Sequence, residues 1–370
     1  MKTDPFFNIL TIFTLIVERN QIIFYFYGKI SFSQFMNTEQ QIDIVILWVD
    51  GNNPEWRARY LEYQTSEDGG DKRIVRFRDW ELLKFWFRGI EKFAPWVRTI
   101  HFVTSGEFPD WLDVNHPKLN WVKHEDFIPK EYLPTFSANT IELNLHRIEG
   151  LSDRFIYFND DMFLIKKAKP SDFFKNGLPC DYGVMSAKPS LGGIIHMVIN
   201  DLEVLEKRFD KHTVMKKNFS KWFSFRYGSK ILNNILLYPW REFSGFADPH
   251  VAQPFCKNVF NEVWEFSPDI LDETCRRRFR TDADVNHWLF RYWQLAKGNF
   301  YPQNKKKNSI CIDISNDSLK EIKDIIVNQR YLNICLNDSQ IDESFEDAKQ
   351  LLTDSFSQIL SELSSFEKQN

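Results

Sequence analysis

The sequence predicts an α/β fold: a mainly parallel sheet flanked by helices, with a more helical C-terminal part completing the site. Three observations predict it. Near-continuous apolar runs such as IDIVILWV and FIYF stop abruptly at polar, turn-forming residues, as strands buried on both faces do. Between them lie stretches with apolar residues at helical spacing. The two patterns alternate, which favours strand–helix–strand units with parallel strands. With 370 residues, 43% hydrophobic and 26% charged, the chain can bury a sizeable core.

The elements follow in order. Residues 42–49 form the first strand, closed by Asp50 and Gly51, and Asn52, Asn53 and Pro54 make a loop. Residues 57–70 read as a polar, mobile stretch. Residues 80–93 place Leu82, Leu83, Phe85, Trp86, Ile90 and Phe93 at helical spacing. A second strand spans 99–104, and 120–123 forms a short third. Residues 139–149 read as a helix with Ile141, Leu145 and Ile148 on one face and Glu142 elsewhere. The next strand, 155–158, runs into Asn159-Asp160-Asp161. In an extended chain Asn159 and Asp161 would share a face and Asp160 would point away. Beyond residue 174 the pattern loosens. Residues 207–222 are basic and aromatic, 261–278 and 284–296 read as helices, and 305–307 as a charged loop. Residues 345–366 read as a docked amphipathic helix on an acidic background, without the basic face that anionic lipid would require.

Composition narrows the function. A net charge of −4 gives no support for a nucleic-acid binder. Aromatic residues make up 16% of the chain and Phe dominates them, which fits a Phe-rich core or rings that stack on sugars. Cys180, Cys256, Cys275, Cys311 and Cys335 are odd in number and scattered without a CxxC. That argues against a disulfide framework and a zinc site, and fits a reducing cytoplasm. The apolar run FFNILTIFTLIV, residues 6–17, is about twelve residues long, short of the ~20 needed to span a bilayer. It reads as a membrane-surface anchor, a docking helix, or an extension upstream of a natural start at Met36.

Asp50 and the Asn159-Asp160-Asp161 triplet both fall at C-terminal strand ends, where ligands bind in open parallel sheets. Two carboxylates and an amide oxygen suit Mg²⁺ or Mn²⁺, and a plain Asn-Asp turn fits as well. Asp50-Gly51 is either a turn or an acid that holds a ribose or base edge. His250, in FADPHVAQPF, is stiffened by flanking prolines and suits a general base; a structural histidine is the alternative. Arg276, Arg277, Arg278 and Arg280 form a cationic cluster suited to phosphate or to a solvated helix end. Together these groups are what phosphoryl or glycosyl transfer from a nucleotide donor needs.

IDIVILWVDGNNPEW resembles the first conserved region of the Stealth family. RFRDWELLKFWFRGIEKFAPWVRTIHFVTSGEFPDWL, through LPTFSANTIELNLHRIEGLSDRFIYFNDDMF, resembles the second. FADPHVAQPF through FRTDADVNHWLFRYW is similar to the third, and ICLNDS to the short fourth. The matches lie at about 42–56, 73–174, 240–296 and 334–339. The resemblance implies a catalytic domain over 36–340 on a Rossmann-like or GT-A-like sheet, preceded by an extension at 1–35 and followed by a helix in 341–370. It implies transfer of a hexose-1-phosphate or N-acetylhexosamine-1-phosphate from a UDP-sugar to a glycan or lipid-linked glycan. The product would be a phosphodiester in capsular or cell-surface polysaccharide, with UMP released. It further implies that Asp161, with Asp160 beside it, binds Mg²⁺ or Mn²⁺. Glu142 would be an active-site acid, His250 the catalytic histidine, and Arg280 a phosphate ligand. Asp50 and Gly51 would line the nucleotide pocket, and Asn337 and Asp338 would close the site. The implied setting is the cytoplasm, peripheral at the inner face of the membrane. Two alternatives stay open: a metal-dependent glycosyltransferase that releases UDP, and a non-catalytic carbohydrate-binding surface protein.

Overall fold

Strands β1 (Asp43–Leu47), β2 (Ile100–Thr104), β3 (Leu119–Lys123) and β4 (Arg154–Phe158) pair in parallel in the order β3-β2-β1-β4. The structure, a computed structural model, describes residues 41–66, 77–188, 194–338 and 344–368. The apolar run at 6–17 and the start at Met36 lie outside the described residues. Past β4 the chain turns back as β5 (Met162–Leu164), then forms the hairpin β6 (Phe174–Lys175) and β7 (Leu178–Asp181). β8 (Gln253–Cys256) returns to the main sheet antiparallel to β4. β9 (Tyr301–Pro302) pairs with β7. β10 (Ser309–Ile314) and β11 (Asn333–Asp338) run parallel, with β11 antiparallel to β5.

The apolar runs are continuous because both faces of the main sheet are covered. Ile44, Ile46, Ile156 and Phe158 point into one core cluster, and Val45, Phe155 and Tyr157 into another, the period of two that a strand imposes. The helix Leu83–Phe93 covers the first face, joined by the C-terminal helix Phe345–Ile359. The Phe356 ring lies 5.6 Å from Phe85 and 4.8 Å from Phe163. Arg88 clamps Glu367 through two 2.7 Å bonds just beyond that helix. The helices Lys257–Phe266 and Trp288–Lys297 cover the second face.

The structure departs from the expected elements in identifiable ways. Of the stretch 57–70 read as polar and mobile, the described residues belong to a helix, Pro54–Ser66. Its apolar side is thin, with Trp56 and Tyr60 packed on Phe77, Phe136 and Phe279, so periodicity gave little sign of it. The start signal was present: Asn53 Oδ1 accepts the backbone N–H of Glu55 and Trp56, and Pro54 opens the first turn. The helix read at 261–278 is two, broken at Ser267-Pro268, where proline cannot continue a helix. The helix in 139–149 is α-helical over Ala138–Asn144 and tightens to 3₁₀ over Leu145–Arg147.

The Asp50-Gly51 corner takes the turn geometry. Asp50 Oδ1 accepts the Asn52 N–H at 2.9 Å, and the Asp50 carbonyl accepts that of Asn53 at 3.1 Å. A Cβ at Gly51 would stand 1.9 Å from the Phe77 carbonyl oxygen. Gly51→Ala is therefore expected to destabilise the fold by about 1–3 kcal/mol, the cost of forcing an atom into occupied space. Denaturant unfolding measures it, and an unchanged midpoint would show that the two backbone segments separate freely.

Candidate active site

A cavity of about 910 Å³ opens beyond the C-terminal ends of β1 and β4, where ligands sit in sheets of this kind. Trp48 follows β1 into its wall and Asn159, Asp160 and Asp161 follow β4. These three residues form a tight turn between β4 and β5, closed by the Met162 N–H on the Asn159 carbonyl. The expected alternation, with Asp160 turned away, does not hold, because the chain reverses there and all three side chains line the cavity. Burial, the Asp161 charge and the Asp79 charge push the Asp160 carboxyl up to about 7. Asp161 Oδ1 is buried with no hydrogen-bond partner. Crowded carboxylates with an unpaired oxygen are a donor set that a hard divalent cation satisfies, so Asp160 and Asp161 fit such an ion.

His250 faces them from a loop. Its Nε2 lies 3.6 Å from Asp161 Oδ2, and its side chain is 37% exposed. Burial works to lower its pKa, but the Asp161 carboxylate prevails and raises it above the ordinary histidine value. The loop is held from beneath by Arg291. This fully buried guanidinium donates to Asp181, to Asp248 at 2.6 Å, and to the carbonyls of Tyr182 and Ala247. Asp248 also accepts from the Tyr292 hydroxyl at 2.8 Å and pairs with Lys188 at 2.8 Å. Two residues before His250, the Asp248 carboxylate is thus held from three sides.

Glu142, on the helix Ala138–Asn144, is 4% exposed, yet its carboxyl is held below the ordinary glutamate value. Burial would raise its pKa, but His287, Arg280 and Tyr157 together lower it. His287 Nδ1 lies 2.8 Å from Oε2, and the Tyr157 hydroxyl 2.7 Å from Oε1. The same hydroxyl reaches Asn159, which links Glu142 to the acidic turn.

Arg280 lines the cavity, and its Nε is buried without a partner. The other arginines of the cluster are engaged elsewhere: Arg276 with Asp272, Arg277 with Asp284, and Arg278 over the Tyr63 ring. Asp284, fully buried, also accepts from Asn139 and from the Thr281 amide and hydroxyl. It fixes the loop that presents Arg280.

Asn337 and Asp338, at the end of β11, line the opposite wall. Asn337 donates to Asp313 at 2.6 Å. Asp338 forms an ion pair with Arg78 and accepts from Trp80 Nε1, each at 3.2 Å. Of the residues expected from sequence, Asp160, Asp161, Glu142, His250, Arg280, Asn337 and Asp338 converge on this cavity. Asp50 and Gly51 are not among its lining residues. The charge of Asp50 still reaches Asp79, which is one of them.

Sequence reasoning missed His287, Asp79 and Cys335. His287 stands 145 positions from the carboxylate it pairs with, and no linear pattern joins them. Cys335 was set aside as one of five scattered cysteines. In space its Sγ lies 3.4 Å from Asp161 Oδ2, and Asp161, His250 and Cys335 hold potential ligand atoms within 4.8 Å of one another. Scatter along the chain did not mean scatter in the fold.

Comparisons with known proteins give two kinds of match. Residues 40–68 match Stealth protein conserved region 1, and residues 76–180 match conserved region 2. The chain is 42% identical over 340 residues to WcwK, a capsular polysaccharide phosphotransferase of Streptococcus pneumoniae, covering 90% of this chain and 100% of that relative. It is 36% identical over 342 residues to cps2G, an exopolysaccharide phosphotransferase of Lactiplantibacillus plantarum, covering 91% of this chain and 99% of the relative. Among solved structures, the galactosyltransferase LgtC aligns with a TM-score of 0.37 and 9% identity over 87% of this chain and 98% of its own.

Proposed function

The chain belongs to the Stealth family, and from that premise we propose that it is a polysaccharide phosphotransferase using a UDP-sugar. It would transfer hexose-1-phosphate or N-acetylhexosamine-1-phosphate to a hydroxyl of a glycan or lipid-linked glycan, and UMP would leave. The observation that carries this reading is the convergence of Asp161, His250, Glu142 and Arg280 on one cavity from distant parts of the chain. A carboxylate pair, a histidine and a guanidinium whose Nε has no hydrogen-bond partner supply what displacement at phosphorus requires, namely positioning and charge.

His250 Nε2 takes the proton of the acceptor hydroxyl as its oxygen attacks the sugar-bound phosphorus. The bond from that phosphorus to the bridging oxygen breaks, and UMP carries the electron pair away. His250 is suited to the role because Asp161 raises its basicity and stabilises the imidazolium that forms. Arg280 lines the cavity and its Nε has no hydrogen-bond partner, which leaves that donor for a phosphate oxygen. Glu142 holds His287 and Tyr157 in place and contributes negative charge to the cavity lining. A Mg²⁺ or Mn²⁺ ion held by Asp160 and Asp161 would supply charge neutralisation on the diphosphate.

The leaving group is the test. The purified protein, given Mg²⁺, UDP-hexoses and an acceptor glycan, is expected to release UMP, separable from UDP by anion exchange. UDP in its place would mean that the bare sugar moves, and the proposal would give way to a glycosyltransferase.

A further inference from the structure

Away from the cavity, residues 211–241 carry seven Lys or Arg and no Asp or Glu, in a chain whose net charge is −4. They fold as short helices, Lys211–Lys217, Phe219–Trp222 and Ile231–Leu237, with a 3₁₀ turn at Phe225–Lys230. Phe223 ties them together, its ring 4.7 Å from Phe219 and 6.1 Å from Tyr238.

The helix Ile231–Leu237 has its polarity reversed. Asn234 points inward and is fully buried. It accepts the Met185 N–H at 2.6 Å and donates to the carbonyls of Gly183 at 2.8 Å and Trp222 at 2.6 Å. Those three bonds fix the helix's rotation. Leu232, Ile235 and Leu236, at positions i, i+3 and i+4, are consequently turned outward, 54%, 49% and 69% exposed. Phe219, Phe225 and Trp240 add exposures of 62%, 94% and 59%. A helix on a water-facing surface normally has the opposite arrangement, and exposed apolar clusters of this kind mark interaction surfaces. Lys216, Lys217, Arg226, Lys230 and Arg241 stand exposed among them.

We propose that this surface docks the protein on a bilayer of anionic phospholipid. The aromatic and aliphatic side chains enter the headgroup–acyl boundary, and the lysines and arginines pair with the headgroup phosphates. Charge decides the partner. The cores of protein–protein interfaces are depleted in lysine, whereas a basic surface carrying Phe, Trp and Leu is what an anionic membrane attracts. The inference does not depend on the reaction proposed above.

Co-sedimentation of the full chain with phosphatidylcholine vesicles, with and without phosphatidylglycerol, tests it. Binding to the anionic vesicles is expected to be about tenfold or more tighter than to the neutral ones, and to weaken with salt. Two variant sets are compared: Phe225→Ser with Leu236→Ser and Trp240→Ser, and Lys216→Glu with Lys217→Glu, Arg226→Glu and Lys230→Glu. Each is expected to lose about tenfold or more in binding to the anionic vesicles. Thermal unfolding and nucleotide release should stay as in the parent. Equal affinity for both vesicle types would overturn the proposal, as would failure to bind either. Undiminished binding by the variants would assign the membrane contact to another segment. A dimer in light scattering that the first variant set dissociates, without vesicle binding, would make the surface a contact between copies of this chain.

Discussion

His250→Ala is expected to lower transfer by about 10²–10⁴-fold, the range spanned by a positioned general base, and Asp161→Asn by at least about as much. Both variants should unfold at or near the parent's temperature. Neither side chain belongs to a core cluster, and both sit partly exposed on the cavity wall. Asp161→Asn also removes a like charge beside Asp160, one cause of that carboxyl's rise to about 7, so the folded state loses a repulsion along with the Asp161–His250 pair. Activity and melting curves are read on the same preparations. Loss of activity with an unchanged melting temperature assigns the residues to chemistry. Loss of both would make them part of the scaffold, and transfer near the parent rate would leave the cavity without its proposed base and metal site.

The parallel strands were legible because a strand buried on both faces must be apolar throughout and must end where the chain re-enters water. β1 and β4 show this most clearly, and the acidic turn after β4 stood out because it lies between two such runs. His250 and Arg280 were legible by residue type and context, reinforced by the family resemblance. The pairing of Glu142 with His287 was not, since it depends on bringing together a helix before β4 and a loop near residue 287. The helix Pro54–Ser66 escaped because its stability rests on two rings, Trp56 and Tyr60, buried against Phe77, Phe136 and Phe279, contacts no local period encodes. The reversed polarity of Ile231–Leu237 was equally hidden. A single asparagine decides which side of that helix faces inward, and only its three partners reveal it.

Arg291→Met is expected to be the most destabilising of these substitutions, at about 3–5 kcal/mol, because it takes from the buried Asp181 carboxylate the one cation hydrogen-bonded to it and leaves only the more distant charge of Lys305. Asp181 would keep only the amide of Gln253 and the backbone N–H of Tyr182 as donors, and both residues are fully enclosed. Asp248 would fare better, since Lys188 and Tyr292 still reach it. The pair should therefore be coupled. Asp181→Leu with Arg291→Met is expected to recover part of the loss, as a buried ion pair exchanged for apolar groups often does, while the sum of the single costs would predict a worse protein. Activity need not follow stability. The double variant still lacks the guanidinium that holds the Asp248 carboxylate and the Ala247 carbonyl, two and three residues before His250. A folded double variant with lowered kcat and little change in KM would show that Arg291 acts through the placement of His250. Full activity in that variant would mean that Pro249 and the remaining bonds of the loop suffice, and that the buried pair serves folding alone.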